Sequence, residues 1–286
     1  MSEKIIISSD STADLSPELI ERYKISIIPL GITLGTNLYK DGVDIDAEKI
    51  YEHHAKTGEL PKTNATNVGE LEDYFTELTK DGSAVVHFTI SSNMSSTYNN
   101  AVMASENFSN VYVVDSKNLS TGGGLLVLAA CDMAANGLDA KTIAEKVTEL
   151  VPNVEASFVI DSLEYLYKGG RCSALSVLGA NLLKLKPCIE VKNGSMGVGK
   201  KYRGKYPDVL KEYINERLVN IDDIDTTRVF ITHAGCDETL VKELFKIVKD
   251  KNIFGEVLVT RAGCTVSSHC GRNTLGILFI RKSPIA

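Results

Sequence analysis

Ala84-Val85-Val86-His87-Phe88-Thr89-Ile90 runs directly into Ser91-Ser92-Asn93-Met94-Ser95-Ser96-Thr97-Tyr98. The first seven residues form a nearly continuous apolar, β-branched run, the pattern of a strand buried on both faces of a parallel sheet. A helical pattern follows from Thr97 to about Phe108. A strand tip feeding a helix leaves the first backbone N–H groups of that helix unpaired, and these favour a negative ligand. The tip carries hydroxyls and no Lys or Arg, so it suits a small carboxylate or phosphate held by neutral hydrogen bonds. Helix capping accounts for one or two of these side chains, since Ser, Thr and Asn are the preferred caps. A second hydroxyl-rich stretch is Thr63-Asn64-Ala65-Thr66.

Outward from this junction, strands and helices alternate. Lys4–Ser8 predicts a strand, and Ser16 with Pro17 predicts a helix start. Ile25–Leu34 predicts one extended stretch, and Asp46 caps a helix running to Gly58. Asn67 and Glu70 form a capping pair for a helix ending near Gly82. Val111–Asp115 predicts a strand, with helices at 120–136 and 139–150 beyond it. Past Pro152-Asn153 come strand 156–160, a glycine loop at 168–171 and an apolar helix, Leu175–Leu185. A hairpin follows around Asn193-Gly194, then helix 207–219, strand 228–232, helix 238–251, strand 256–260 and strand 276–281. The expectation is α/β in two domains. Residues 1–153 form a three-layer α/β/α unit on a parallel sheet, and residues 154–286 a two-layer unit on a mixed sheet.

The 286 residues carry a net charge of −6 and no long basic stripe, which argues against nucleic acid as a partner. The longest apolar segment, 122–135, contains Asp132 and is too short to span a bilayer. An opening strand in place of an apolar leader predicts no signal peptide. The six cysteines include no C-x-x-C pair and read as reduced thiols of a cytoplasmic protein. A metal site from Cys264, His269 and Cys270 lacks a fourth ligand at zinc-like spacing, so no metal is expected.

In open α/β sheets ligands sit beyond the carboxyl ends of the strands. Asp10-Ser11-Thr12, Ser91–Thr97 and Asp115-Ser116 all occupy such positions, although Asp10 and Asp14 read equally well as turn and capping residues. Gly122-Gly123-Gly124 lacks both the P-loop lysine and G-x-G-x-x-G, and close packing or a passing lipid explains it better. No G-x-S-x-G nucleophile elbow is present. His53 and His54 fall on a helix surface, His87 in a buried strand, and His233 follows a strand toward a cleft. His269 lies in the polar loop 265–271, where it can hydrogen-bond an anion or orient a hydroxyl. A hydrolase triad using Ser95 and His269 stays open on spacing alone. Arg171, a cation between Gly170 and Cys172, is either a solvated or carbonyl-capping charge or a contact for a ligand or a partner protein.

Together these segments resemble the DegV family of fatty-acid-binding proteins, the lipid-carrier subunits of bacterial fatty acid kinase. The matching pieces run in order over the chain: Asp10–Leu15, Ile28–Leu30, Tyr39–Asp44, Pro61–Thr66, Ser91–Tyr98, Val114–Ser116, Gly169–Ser173, Lys184–Pro187 and His269–Gly271. The resemblance implies a long-chain fatty acid buried between the two domains, with no other cofactor. It implies that Thr63 and Ser95 hold the carboxylate with His269 nearby, and that Arg171 meets the kinase. The kinase catalytic subunit would phosphorylate the bound acid to an acyl phosphate for phospholipid synthesis. The carrier itself would perform no chemistry and have no catalytic residue. The alternative is an enzyme acting on an acyl or phosphoryl substrate. Three departures stand out: Ser96 replaces a usual glycine, Asn64-Ala65-Thr66 replaces a Ser-Gln-Pro-Ser type of sequence, and Arg272-Asn273 replaces Pro-Gly. Arg272 could then bring a charge to the carboxylate.

Overall fold

Short apolar runs separated by well-capped helices set the order of elements along the chain. The computed structural model describes residues 4–172 and 185–285. The first elements are β1 (Ile5–Asp10), α1 (Pro17–Tyr23), β2 (Ser26–Ile28), β3 (Gly31–Leu34), β4 (Asn37–Lys40), α2 (Ala47–Thr57) and β5 (Lys62–Asn64). Next come α3 (Val68–Thr79), β6 (Ala84–Thr89), α4 (Thr97–Ser105), β7 (Val111–Asp115), α5 (Thr121–Ala135) and α6 (Ala140–Leu150). After these follow β8 (Val154–Ile160), α7 (Glu164–Gly169), β9 (Lys186–Lys192), β10 (Ser195–Tyr202) and α8 (Tyr206–Arg217). The last are β11 (Ile224–Ala234), α9 (Glu238–Asp250), β12 (Glu256–Arg261), α10 (Cys264–Cys270) and β13 (Thr274–Arg281).

The architecture is two-domain α/β. Strands β2-β1-β6-β7 form a wholly parallel sheet. The chain moves one way from β1 to β2 and the other way to β6 and β7, so the carboxyl ends of β1 and β6 border the switch point where such sheets open a crevice. There the Ile90 N–H donates to Asp10 Oδ2 at 2.8 Å. Helices α3 and α4 cover one face, packing Leu71, Phe75, Ala101 and Ala104 against Val85 and Val111. Helices α5 and α6 cover the other.

The second sheet has the order β10-β9-β8-β13-β11-β12, antiparallel throughout except for the parallel pair β11/β12. Helices α8 and α9 cover one face. The other face receives α5 from the first half. Leu125, Leu126, Val127 and Leu128 are all fully buried, because α5 has a sheet on either side and needs no polar face. Gly124 permits this approach, since a Cβ there would stand 2.8 Å from the Ala13 carbonyl oxygen. Close packing thus explains Gly124, and also Gly122, where a Cβ would stand 2.1 Å from Asn118 Oδ1, while one at Gly123 would meet only ordinary contact.

A third, small antiparallel sheet, β4-β3-β5, departs from the expected plan. The single stretch expected at 25–34 is in fact two strands in different sheets, broken at Pro29-Leu30. The expected polar loop at 265–271 is largely the helix α10, and the glycine loop at 168–171 begins inside α7. His53 and His54 are partly sunk against neighbours, not laid on the surface, and His54 Nδ1 lies 3.0 Å from the Tyr165 hydroxyl. The expected helix Leu175–Leu185 lies outside the described residues except for Leu185, as do Ser173 and Lys184.

Candidate functional site

The carboxyl-end loops of the parallel sheet face the uncovered part of the mixed sheet across a cavity of about 480 Å³. That size falls in the range of roughly 300–1,000 Å³ usual for small-molecule sites. Leu30, Ile90 and Leu119 line it from the first half, and Ala156, Phe158 and Leu278 from the second. Its polar lining includes Thr63, Ser95, His269 and Arg171.

Thr63 reaches the cavity from β5, where it pairs with Ile32 of β3. Its Oγ1 lies 3.0 Å from His269 Nε2 near the end of α10. Burial, with the Arg171 charge in addition, pushes the His269 pKa down to about 4, so the ring is neutral near pH 7. Its Nδ1 is buried without a partner among the described residues. A Cβ at position 169 would stand 2.4 Å from that nitrogen, so only glycine leaves the ring its place. A proton on Nδ1 would have no acceptor, which is costly in a buried site. With the proton on Nε2, the ring donates to Thr63 Oγ1. The Thr63 hydroxyl hydrogen is left free to donate to a third group.

Ser95 stands two residues before the start of α4. Its Oγ accepts the Thr97 N–H at 3.2 Å and lies 2.8 Å from Thr97 Oγ1. It is thus both a helix cap and part of the cavity wall. Asn100, which the sequence did not single out, donates from Nδ2 to the Thr66 carbonyl at 2.8 Å and ties the two hydroxyl-rich stretches together. Arg171 is exposed on the cavity rim, with Nη1 donating to the Gly169 carbonyl at 2.8 Å. It is the only Lys or Arg among the described lining residues. His233, expected just after a strand, is in fact the second-last residue of β11; it does line the cavity, and burial lowers its pKa.

Several alternatives lose their geometry. Arg272 turns away from the cavity to pair with Glu48, its guanidinium 4.7 Å over the Tyr51 ring. The extra head-group charge expected from it is absent. Ser96 sits at φ −76°, where glycine has no advantage, and Asn273 takes φ +57°, which asparagine tolerates. Ser95 and His269 form no dyad, because each bonds a threonine and His269 Nδ1 meets no carboxylate among the described residues. The thiol of Cys264 donates to the Ile45 carbonyl and that of Cys270 to the Gly271 carbonyl, so neither converges with His269. No group of potential metal ligands occurs among the described residues. Asp10 caps the 3₁₀ turn Ser11–Ala13, and burial pushes its pKa up to about 6. Asp14 accepts from Ser120 Oγ and the Gly263 N–H, and burial pushes it up to about 8.

A family model described as "uncharacterised protein, DegV family" matches residues 4–282. The chain belongs to the DegV family. A DegV domain-containing protein of Caldanaerobacter subterraneus subsp. tengcongensis is 31% identical over 283 residues, covering 98% of this chain and all of that one. Among solved structures, a fatty-acid-binding DegV family protein from Thermus thermophilus matches with a TM-score of 0.90 and 25% identity. That match covers 97% of this chain and 99% of the other. DegV of Bacillus subtilis, described as a fatty acid binding protein, matches at 0.86 and 28%, covering 98% and 100%. A stearic-acid-binding protein from Eubacterium ventriosum matches at 0.82 and 29%, covering 96% and 98%. The three solved structures are described as fatty-acid-binding, in keeping with the expectation of a carrier and not an enzyme. No described helix is long and apolar enough to cross a membrane.

Proposed function

We propose that this chain is a cytoplasmic, non-enzymatic carrier that holds a long-chain fatty acid in the cavity and presents its carboxylate to a fatty acid kinase. The observation that carries this is the cavity itself: an apolar space between two sheets, with Thr63, Ser95 and the neutral His269 on its wall. Each buried methylene contributes about 0.8 kcal/mol, so the tail supplies most of the affinity and the head group needs only orientation. Thr63, freed to donate by His269, and Ser95 would each give the carboxylate one neutral hydrogen bond. Such bonds leave an oxygen open to phosphorylation, whereas a bidentate arginine would occupy both. Arg171, exposed on the rim, is suited to the encounter with the kinase catalytic subunit, because arginine is enriched at binding hot spots. On this reading the chain divides into residues 1–153 and 154–286, with the ligand held between the two units.

Mass spectrometry of an organic extract of the purified protein tests the proposal. Stoichiometric long-chain fatty acid is the expected result, and a protein that neither carries nor takes up fatty acid overturns it. In the Thr63→Ala/Ser95→Ala double variant, the bound acid should loosen by about 0.5–1.5 kcal/mol per hydrogen bond lost, and kinase-coupled acyl phosphate formation should fall. Unchanged affinity and unchanged turnover would remove both hydroxyls from the site.

A further inference from the structure

The segment Tyr39–Asp44 matched the family pattern but found no part in the lipid site. Its Asp41 follows β4 directly and is 4% exposed, yet it has no cation beside it among the described residues. It is satisfied instead by the other half of the molecule. Its Oδ1 accepts the Cys264 N–H at 2.7 Å, and its Oδ2 accepts the Thr265 N–H at 2.9 Å and the Thr265 hydroxyl at 2.6 Å. Ser11 Oγ adds a fourth bond at 3.2 Å.

These contacts fall at the first turn of α10, a helix that its own sequence does little to support. Cys264-Thr265-Val266-Ser267-Ser268-His269-Cys270 contains only weak helix formers, and seven residues are far too few for a helix stable by itself. Gly263, at its N-cap, has no side chain with which to cap it. Asp41 supplies the missing acceptors from outside, with a negative charge at the favourable end of the helix dipole.

The same residue is fixed to the strand that carries Thr63. The Asp41 N–H donates to the Leu30 carbonyl at 2.9 Å, just before β3. Strand β3 pairs with β5 through Ile32 and Thr63. One end of α10 is therefore held to the small sheet by Asp41, while its other end sets His269 against Thr63 on that sheet. His269 lies five residues beyond Cys264, roughly 7.5 Å along the helix axis. A small tilt at the clamp would carry the imidazole out of hydrogen-bond range.

We propose that Asp41 is a positioning residue: by clamping the first turn of α10 to the small sheet, it sets His269 against Thr63 and so aims the Thr63 hydroxyl into the cavity. This rests on the head-group role given to Thr63 and His269 above.

The test uses full-length protein freed of lipid, with ¹⁵N-labelled histidine, so that the His269 Nε2–H and its exchange with solvent can be followed by NMR. In the native protein this proton should be bound on Nε2 and protected. Asp41→Asn places an amide NH₂ where a backbone N–H must be accepted, and exchange should quicken at least about tenfold, as expected for loss of a charge-assisted hydrogen bond. Val147→Ala, a core truncation on α6, is the control for general destabilisation and should leave His269 protected. Thr265→Val removes only the hydroxyl bond and should give a smaller increase. An Asp41→Asn protein with unchanged exchange overturns the proposal, as does equal quickening in Val147→Ala. Should Asp41→Asn fail to fold, unchanged exchange in Thr265→Val decides against it. The measurement needs no fatty acid, so failure of the native protein to bind lipid would remove the proposed function and leave this result to be read separately.

Discussion

The two faces of the mixed sheet come from alternate residues of the same strands and do opposite things. On β11 and β13, Val229, Ile231, Ile277 and Phe279 belong to a sealed core with Tyr213 and Leu244 of α8 and α9. Their neighbours Thr232, Ala234, Gly276 and Leu278 line the cavity. A period of two separates them, as the pleat requires. On one side the residues are mostly large and branched; on the other, three of these four are small. A binding space can thus be made by subtraction on one face while the other holds the sheet together.

The sharpest way to break this comparison is to cut into the sealed face. Phe279→Ala should cost about 3–5 kcal/mol of stability, read by urea denaturation, while fatty acid bound per folded molecule stays the same. A loss of lipid larger than the loss of folded protein would mean that the faces are not independent. The converse experiment fills the open face. Ala234→Leu should displace acyl methylenes and weaken fatty acid binding by roughly 2 kcal/mol, at about 0.8 kcal/mol per methylene, with little loss of stability in lipid-free protein. Titration with a fluorescent fatty acid checks it, and unchanged affinity would place the tail elsewhere.

A third prediction adds charge to the comparison: the buried Asp14 does not line the cavity but accepts from Ser120, which does. Asp14, held up at about 8, binds a proton in the folded state that the unfolded chain has released above its ordinary 3.8. Stability should therefore fall as pH rises through this window, by up to roughly 1.4 kcal/mol per pH unit. The buried histidines act in the opposite sense. His87 and His269, lowered to about 3 and about 4, contribute stability that is complete above 6.5 and lost as pH falls. Between pH 6.5 and 8 the Asp14 effect stands clear. Asp14→Asn should flatten the slope there in denaturation curves, and a slope unchanged from the native protein would contradict the assignment.

The smallest expected effect belongs to the rim. Arg171→Ala should leave lipid occupancy and thermal stability nearly intact and lower kinase-coupled turnover. Removing its positive charge should also raise the His269 pKa slightly, a shift that NMR titration can read. Collapse of lipid occupancy with unchanged turnover per loaded carrier would move Arg171 into the pocket.

Where a structural signal was local, the sequence displayed it. Ser16 with Pro17, Asp46, Asn67 with Glu70, and Asp139 each cap the expected helix. Asn193-Gly194 closes the expected hairpin between β9 and β10. The small sheet was not legible, because β5 is only Lys62-Thr63-Asn64 and gains its strand character from pairing with β3. Nor was α10, which reads as a polar loop until Asp14 and Asp41, more than 200 residues earlier, reach its first turn. Thr63 and His269 could be singled out separately, but their meeting depends on both hidden elements. Arg272 shows the reverse failure. A cation next to a site motif invited a role there, and Glu48 with Tyr51 draws it away.

Helix α5 has a consequence for how the chain can be divided. It serves as wall to the parallel sheet and to the mixed sheet alike, and its first two turns, Thr121–Leu128, are buried all round. Severed after α6, the first half would present this helix as a bare apolar ridge, and the second half would present an open sheet face. Each piece would then seek a surrogate, in another copy or in an aggregate. The two lobes are distinct in topology yet share one raincoat, so a split version of this protein would work only if both pieces were made together and met before either met itself.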